Sequence, residues 1–253
     1  MRRGWLLLIC ALLSVFVVFG QGADERAYMK RAEFEQWQNS ELKSERFRQL
    51  PYRIARFKGS GNAPMLVVWI HGGHSCGEDN QSHIGDHYGA ISKLAAQLQS
   101  RQIDAVLAAP HCSEQMREDV FGSTKLLCDW LKSIIATEDI DADRVYLIGA
   151  SFGGMMVSKI ASASPNIPAA VEIIGTVPHI RTSGTPQFAV CCVASDADNP
   201  RKFEHITEQM LSLQQLGCKV LFVEHSGLSH RDICERGIEP KILDWLLSHK
   251  RQR

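Results

Sequence analysis

The sequence predicts one α/β domain whose sheet is mostly parallel and is covered by helices on both faces. Short apolar runs of strand length alternate with segments of helical spacing, the pattern expected of such a sheet. The chain has 253 residues, enough for one substantial core, and neither a repeat nor a low-complexity linker divides it. Its content of 45% hydrophobic and 22% charged residues is that of an ordinary globular protein.

The first residues have the pattern of an export signal. Met1-Arg2-Arg3 is positively charged, the apolar stretch runs from Trp5 to Phe19, and Val18 and Gly20 are small residues suited to cleavage after residue 20. The apolar stretch is shorter than the about 20 residues that a membrane span needs. We therefore expect a signal peptide over residues 1–20, rather than an uncleaved anchor, and a secreted or periplasmic protein with no membrane span after cleavage.

After the signal, residues 21–50 are charged and predict an N-terminal helical segment, and the folded domain is expected over residues 51–253. The predicted strands are 52–57, 65–70, 103–109, 144–149, 170–175, 188–193 and 219–224. The predicted helices are 91–98, 119–136, 151–162, 203–216 and 239–248.

The most informative motif is Gly149-Ala150-Ser151-Phe152-Gly153, which directly follows the apolar run 144–148. A strand, then G-x-S-x-G, then a helix is the signature of a nucleophile elbow, where a sharp turn exposes the serine hydroxyl. The glycines leave room for close backbone contacts, and the helix N-terminus favours negative charge near Ser151. The alternative is a Gly/Ser-rich turn after a core strand.

A serine nucleophile needs a general base, and the base needs a carboxylate that orients it. In open α/β sheets such groups lie in loops at the carboxyl ends of strands. Two loops after Ser151 qualify, 194–200 and 225–232. The candidate acids are Asp196 and Asp198, and the candidate bases are His225 and His230.

With these residues the chain resembles the α/β-hydrolase superfamily, whose members carry the order serine, acid, histidine. The resemblance covers Tyr52 to Ser248, and 139–146 is the kind of segment that precedes the elbow in such enzymes. The chain is most similar to compact secreted serine esterases of the polyhydroxyalkanoate-depolymerase and feruloyl-esterase type, and is related to hydrolase domains of the prolyl-oligopeptidase type. The resemblance implies the α/β-hydrolase fold, and the short segment Val177–Gln187 implies an open site without a sizeable cap domain.

The resemblance assigns Asp198 as the acid, because residues 195–200 best match the G-x-A-D-N-P loop of these enzymes in that register. Ser195 stands where the loop has its first glycine, so Asp196 stays open as the alternative. The family's histidine commonly follows a glycine in the loop after the last strand, as His230 does. His225 lies too close to the end of that strand to reach the serine easily.

The oxyanion hole of these enzymes consists of two backbone N–H donors. The resemblance assigns one donor to Phe152 and the other to Gly73, within His71-Gly72-Gly73-His74. The loops expected to shape the substrate pocket are 75–87, 111–118 and 177–187.

The resemblance implies a serine hydrolase that cleaves carboxylic esters through an acyl-enzyme and needs no cofactor. Its substrate is expected to be a small-molecule or polymer-linked ester. A serine peptidase of the prolyl-oligopeptidase type and a non-catalytic binding protein with the hydrolase fold are the alternatives. The 28 basic and 28 acidic residues balance, which gives no electrostatic reason to expect a nucleic-acid partner.

The cysteines and histidines predict no metal site. Seven of the eight cysteines lie after the signal, so an odd number is left to pair. Cys76 and Cys112 follow consecutive strand ends and are the best candidates for a disulfide, and the cysteine spacings do not resemble a zinc site. The histidine signal for a metal is weak, and solvated side chains are the expected alternative. The residues concerned are His71, His74, His83, Asp86 and His87.

Overall fold

A computed structural model describes residues 16–18, 29–59, 61–85 and 89–251. Their strands form one sheet. The strands are β1 (Phe16–Val18), β2 (Lys43–Phe47), β3 (Leu50–Phe57), β4 (Met65–Ile70), β5 (Ala105–Pro110), β6 (Val145–Ala150), β7 (Ala170–Ile174), β8 (Ala189–Ser195) and β9 (Val220–His225). Their order across the sheet is β1-β9-β8-β7-β6-β4-β5-β3-β2.

The helices cover both faces of this sheet. They are α1 (Arg31–Ser40), α2 (Ala90–Ser100), α3 (Glu114–Glu118), α4 (Val120–Thr137), α5 (Phe152–Ala163), α6 (Pro200–Gln215), α7 (His230–Arg236) and α8 (Pro240–Leu247). A short 3-10 helix, Gly73–Ser75, follows β4. Among the described helices, none is both long enough and apolar enough to cross a bilayer.

The prediction of a mostly parallel sheet between two helical layers is confirmed. Only β3 and β2, at one edge, run antiparallel to their neighbours. The central strands β4 and β6 are buried along their whole length, since apolar side chains on both faces meet helices. One core packs α4, α5 and α6 against the sheet, and the other packs α2 and α8 against its opposite face.

The strand register fixes where a functional site can form. Ile70 pairs with Gly149, Ala150 pairs with Ile174, and Ser195 pairs with His225. The carboxyl ends of β4, β6, β7, β8 and β9 therefore lie along one edge of the sheet, where the loops after them meet. The connection between β7 and β8, residues 175–188, contains neither a helix nor a strand.

The N-terminal part of the chain differs from the prediction. Among the described residues 29–50 of the expected helical segment, Arg31–Ser40 is helical and Lys43–Phe47 is the edge strand β2. The exposed, charged composition of β2 is also typical of a solvated helix. Charged side chains on an edge strand prevent it from pairing with a further strand. Of the predicted signal peptide, all but Phe16–Val18 lies outside the described residues, and the backbone of that segment pairs with β9.

Glu172 is a buried carboxyl group in the middle of β7. It is 1% exposed and lies on the face of the sheet that carries Ala170 and Ile174. Its Oε1 has no hydrogen-bond partner among the described residues. Burial, with a smaller effect of the nearby Glu239 carboxyl, raises the pKa of Glu172 well above its usual range. The folded protein therefore holds this carboxyl in its neutral form.

We expect the stability of Glu172→Gln, relative to wild type, to increase with pH. Above the ordinary glutamate pKa the unfolded chain loses this proton while the folded chain keeps it. Through this group, wild-type stability therefore falls by up to about 1.4 kcal/mol per pH unit until the folded pKa is reached. Urea unfolding of both proteins between about pH 7 and 9 measures the difference. Glu208→Gln, at an exposed position of α6, is the matched control; equal pH slopes for E172Q and wild type would contradict the expectation.

Candidate active site

Ser151 sits on the sharp turn between β6 and α5. Its backbone has φ 54° and ψ −114°, a conformation that non-glycine residues rarely adopt. The turn is held from the strand side, because Ser151 N–H donates to the carbonyl oxygen of Ile174 at 2.8 Å. Strain of this kind persists only where the surrounding structure fixes it, and here it turns the serine toward the carboxyl edge of the sheet.

The two motif glycines are required because backbone atoms occupy the space of a side chain. A Cβ on Gly153 would overlap the carbonyl oxygen of Ile70 and lie 2.7 Å from that of His71. A Cβ on Gly149 would overlap the carbonyl group of Gly153. The elbow therefore packs directly against the end of β4 without intervening side chains.

Ser151, His230 and Asp198 form a continuous hydrogen-bonded chain. His230 Nε2 lies 3.0 Å from Ser151 Oγ, and His230 Nδ1 lies 2.8 Å from Asp198 Oδ2. The carboxylate accepts from Nδ1–H, which leaves the Nε2 lone pair to accept from the serine hydroxyl. Asp198 has a side chain only 6% exposed, so its charge acts on the imidazole away from bulk water.

His230 is the first residue of α7, not a residue of an open loop as the sequence suggested. Ser229 caps this helix, and its backbone and hydroxyl in turn contact the Asp232 carboxylate, which is a capping box. Gly175, with φ +64°, lies against the imidazole, where a Cβ would come 3.2 Å from His230 Cε1. The cap and this glycine together hold the ring toward Ser151.

Asp196, the alternative acid, contacts the histidine loop instead of His230. Its carboxylate accepts from Gly227 N–H at 2.8 Å and from Ser226 Oγ at 2.9 Å. These hydrogen bonds, led by that of Gly227, hold the pKa of Asp196 below its usual range. Ser195, which replaces the loop's first glycine, accepts from Leu228 N–H at 3.1 Å. Both residues therefore tie the acid loop to the histidine loop.

His225, the alternative base, is the last residue of β9 and is buried. Burial lowers its pKa, and among the described residues its Nε2 has no hydrogen-bond partner. The hydrogen-bonded chain from Ser151 to Asp198 runs through the other histidine, His230.

Lys202 is a residue of the site that sequence reasoning missed. Its Nζ donates to Asp198 Oδ2 at 2.6 Å, the same oxygen that faces His230, and to the carbonyl oxygen of Gly175 at 3.2 Å. Asn199 caps α6 and Pro200 opens it, so Asp198 lies just before the helix and Lys202 lies in its first turn. The spacing of four residues was the available signal, because it lets the Lys202 side chain reach back to the Asp198 carboxylate.

Phe152 and Gly73 are neighbours on the other side of Ser151. A Cβ on Gly73 would lie 3.7 Å from Phe152 Cβ. Phe152 begins α5 and Gly73 begins the 3-10 helix, so neither backbone N–H has an acceptor within its own helix. Two such amides beside a serine hydroxyl can stabilise negative charge on a carbonyl oxygen.

His71 joins the end of β4 to the loop after β5. Cys112 N–H donates to His71 Nε2 at 3.0 Å, and His71 Nδ1 donates to the carbonyl oxygen of Gly72 at 2.8 Å. This pattern requires the neutral ring, because a proton on Nε2 would face the Cys112 N–H.

His111 and His83 continue this buried group. His111 Nδ1 accepts from Asn80 N–H at 3.0 Å, and its Nε2 donates to the carbonyl oxygen of Ser75 at 3.0 Å. The ring of His83 stacks on that of His111 at 4.3 Å and donates to the Ala109 carbonyl oxygen. The three histidines thus hold the loop after β4 against the end of β5.

Their environment favours the uncharged form. Burial lowers the pKa of His71 to about 4 and that of His83 to about 2, and it also lowers the pKa of His111. Within the described ranges, no group of three or more His, Cys, Asp or Glu side chains could hold a metal ion. The expectation that His83 is solvated on a helix is wrong, because it lies buried in a turn. Asp86 and His87 lie outside the described residues.

The predicted Cys76–Cys112 disulfide is absent, because both cysteines are free thiols. The two loops are joined instead by a backbone hydrogen bond of 3.0 Å from Gly77 N–H to the Cys112 carbonyl oxygen. Cys112 is completely buried, whereas Cys76 is partly exposed. Burial raises the pKa of Cys76 to about 11, so this thiol is held in its protonated form at neutral pH.

The sheet, the elbow and the position of the site define the α/β-hydrolase fold. A thermostable esterase matches with a TM-score of 0.72 and 18% identity, over 83% of this chain and 64% of that chain. The chain therefore spans less than two thirds of that esterase's length.

Two further structures share the fold. Thermogutta terrifontis esterase 2, phosphoramylated by tabun, has a TM-score of 0.58 and 14% identity, over 82% of this chain and 93% of its own. Pyrococcus horikoshii acylaminoacyl peptidase has a TM-score of 0.60 and 12% identity, over 87% of this chain and 44% of its own. No protein-family model matches the sequence, and no curated protein matches it. At such identities the likeness establishes the fold, and function must come from the site.

We expect Lys202→Met to destabilise the protein by about 2 kcal/mol, because Asp198 is buried and loses a charged hydrogen-bond donor. Lys202→Arg keeps the charge and should recover most of this loss. Denaturant unfolding measures both variants. Lys125→Met is the matched control, since Lys125 pairs with Asp129 at the same i,i+4 spacing but is 75% exposed, and it should change stability little. Equal stabilities for K202M and K125M would show that the Asp198 contact contributes nothing.

Proposed function

We propose that this protein is a serine hydrolase that cleaves carboxylic esters through an acyl-enzyme intermediate. The observation that carries the proposal is the hydrogen-bonded chain Ser151–His230–Asp198, with distances of 3.0 and 2.8 Å. Support also comes from the strained backbone of Ser151 and from the two helix-starting amides beside it. Nucleophile, base, orienting acid and oxyanion donors are the set that acyl transfer requires.

In this mechanism Ser151 Oγ attacks the ester carbonyl carbon while His230 Nε2 takes the hydroxyl proton. Asp198 keeps the other ring proton on Nδ1 and stabilises the imidazolium that forms. The N–H groups of Phe152 and Gly73 stabilise the oxyanion of the tetrahedral intermediate. His230 then gives its proton to the departing alcohol, which leaves the acyl group on Ser151.

The second half of the cycle uses the same groups. Water gives a proton to His230 as it attacks the acyl carbon, and a second tetrahedral oxyanion forms at the same amides. Its collapse releases the carboxylic acid and returns the proton to Ser151. Every proton transfer passes through His230 Nε2, so the reaction needs no group beyond those described.

An ester substrate is favoured over a peptide. Two of the three structural neighbours described above are named esterases, and the chain covers only 44% of the acylaminoacyl peptidase. The leaving group also differs, since an alcohol departs more easily than an amine. Turnover of an ester but not of the matching amide separates the two substrate classes.

Export of the protein is part of the proposal and rests on the composition of residues 1–20. Cleavage after Gly20 would remove Phe16–Val18 and leave β9 at the edge of the sheet. Mass spectrometry of the mature N-terminus tests this point.

We expect Ser151→Ala to abolish labelling by a fluorophosphonate and to reduce turnover of a short-chain nitrophenyl ester by at least about a thousandfold. The variant lacks the oxygen atom that attacks the ester and carries the acyl group. Ser212→Ala, at an exposed position of α6, is the control and should label and turn over like wild type. Folded wild-type protein that neither labels nor hydrolyses the ester would refute the proposed function.

Asp198→Asn and Asp196→Asn separate the two candidate acids. Asparagine at 198 can present an N–H to His230 Nδ1 and so favour the wrong tautomer, for which we expect kcat to fall by about 10³- to 10⁴-fold. Asparagine at 196 disturbs contacts between the acid loop and the histidine loop, among them those with Gly227 and Ser226, so kcat should stay within about tenfold of wild type. Steady-state kinetics on the nitrophenyl ester measures both, and a larger loss in D196N would reverse the assignment.

A further inference from the structure

Arg117 borders Gly73 and Phe152, whose amides are the oxyanion donors of the proposed function. A Cβ placed on Gly73 would lie 3.4 Å from Arg117 Nη1 and 3.7 Å from Arg117 Cδ. The same position is 3.7 Å from Phe152 Cβ. In the proposed mechanism the oxyanion binds at these two amides, so the guanidinium lies next to the position of the substrate carbonyl group.

The backbone of Arg117 is fixed although its side chain is accessible. The residue belongs to α3, which Ser113 caps by accepting from Met116 N–H. Met116 packs against the core beside Arg117. The Arg117 side chain itself is 49% exposed, so a ligand can reach it.

The present partner of Arg117 is weakly held. Glu114 Oε2 lies 2.9 Å from Arg117 Nη2, and the Glu114 side chain is 57% exposed. Ion pairs between exposed side chains contribute little, because water competes for both charges. A substrate carboxylate can therefore replace Glu114, and the planar guanidinium suits a carboxylate in a two-pronged contact.

The other cation of the site is already engaged. Lys202 binds Asp198 Oδ2 at 2.6 Å, and that carboxylate is buried. Arg117 is thus the cation that a substrate can recruit without disturbing the hydrogen-bonded chain of Ser151, His230 and Asp198.

We propose that Arg117 is a specificity-determining residue that binds a carboxylate of the substrate. The substrate class is then the half-esters of short dicarboxylic acids, whose free carboxylate lies a few carbon atoms from the reacting carbonyl. This inference rests on the proposed ester hydrolase function. Glu114 acts as the internal competitor for the same guanidinium.

Monoethyl succinate and diethyl succinate form the test pair, because they differ in the free carboxylate. Initial hydrolysis rates in a pH-stat give kcat/KM for both esters. We expect Arg117→Gln to lower kcat/KM for the half-ester by about tenfold or more and to leave the diester within about twofold. Glu114→Gln removes the competitor and should raise kcat/KM for the half-ester alone. Arg31→Gln, from the exposed Arg31–Glu35 pair on α1, is the matched control.

An equal loss on both esters in R117Q, or no loss on either, overturns the proposal. An E114Q variant that does not raise the half-ester rate also contradicts it. Fluorophosphonate labelling of R117Q keeps the two hypotheses apart. A labelled R117Q variant whose half-ester rate is not lowered selectively refutes the inference alone, whereas wild type that neither labels nor hydrolyses diethyl succinate refutes the proposed function.

Discussion

The site depends on one backbone contact, the approach of α5 to the end of β4. The carbonyl oxygens of Ile70 and His71 fill the space of a side chain at position 153, so only glycine fits. Because Gly153 lets the two elements touch, Phe152 at the start of α5 and Gly73 in the 3-10 helix after β4 become neighbours. The same contact keeps Ser151 in its strained conformation, since the turn cannot relax without moving a buried central strand. Sheet packing thus fixes the geometry of the candidate catalytic groups.

The loop after β4 is held by hydrogen bonds of neutral histidines, and the nearby Cys76 and Cys112 form no disulfide. His71 and His111 each accept one backbone N–H and donate to one backbone carbonyl oxygen, so both ring nitrogens are used. Burial keeps the rings uncharged, and the neutral tautomers are the ones these hydrogen bonds require. The position of Gly73 therefore depends on these histidines. Histidines often suggest metal binding or catalysis, but here they hold a loop in place.

The sequence was sufficient for the parts of the fold that rest on continuous apolar runs. The strand and elbow around Ser151 follow from such a run and from glycine spacing, and they determine where the histidine and acid loops converge. The strand Lys43–Phe47 was missed because it is an antiparallel edge strand whose side chains are mostly exposed. Its sequence therefore has no alternation of apolar and polar residues that would indicate a strand. The helix that begins at His230 was missed because it is short and is specified by its cap. The role of Lys202 could not be predicted for a third reason, because its contact with Asp198 depends on the exact residue at which α6 begins.

For the proposed ester hydrolase, selectivity must come from the rim of the site. In that proposal the amides, Ser151 and His230 contact groups that every ester possesses, and the connection after β7 contains no helix or strand. Two cations flank these groups, each paired with a carboxylate. Lys202 is paired with a buried carboxylate, whose exchange would leave a charge without compensation. Arg117 is paired with an exposed one, whose release into water costs little. This difference in burial between the two pairs is the reason that we propose Arg117, and not Lys202, as the cation that binds a substrate carboxylate.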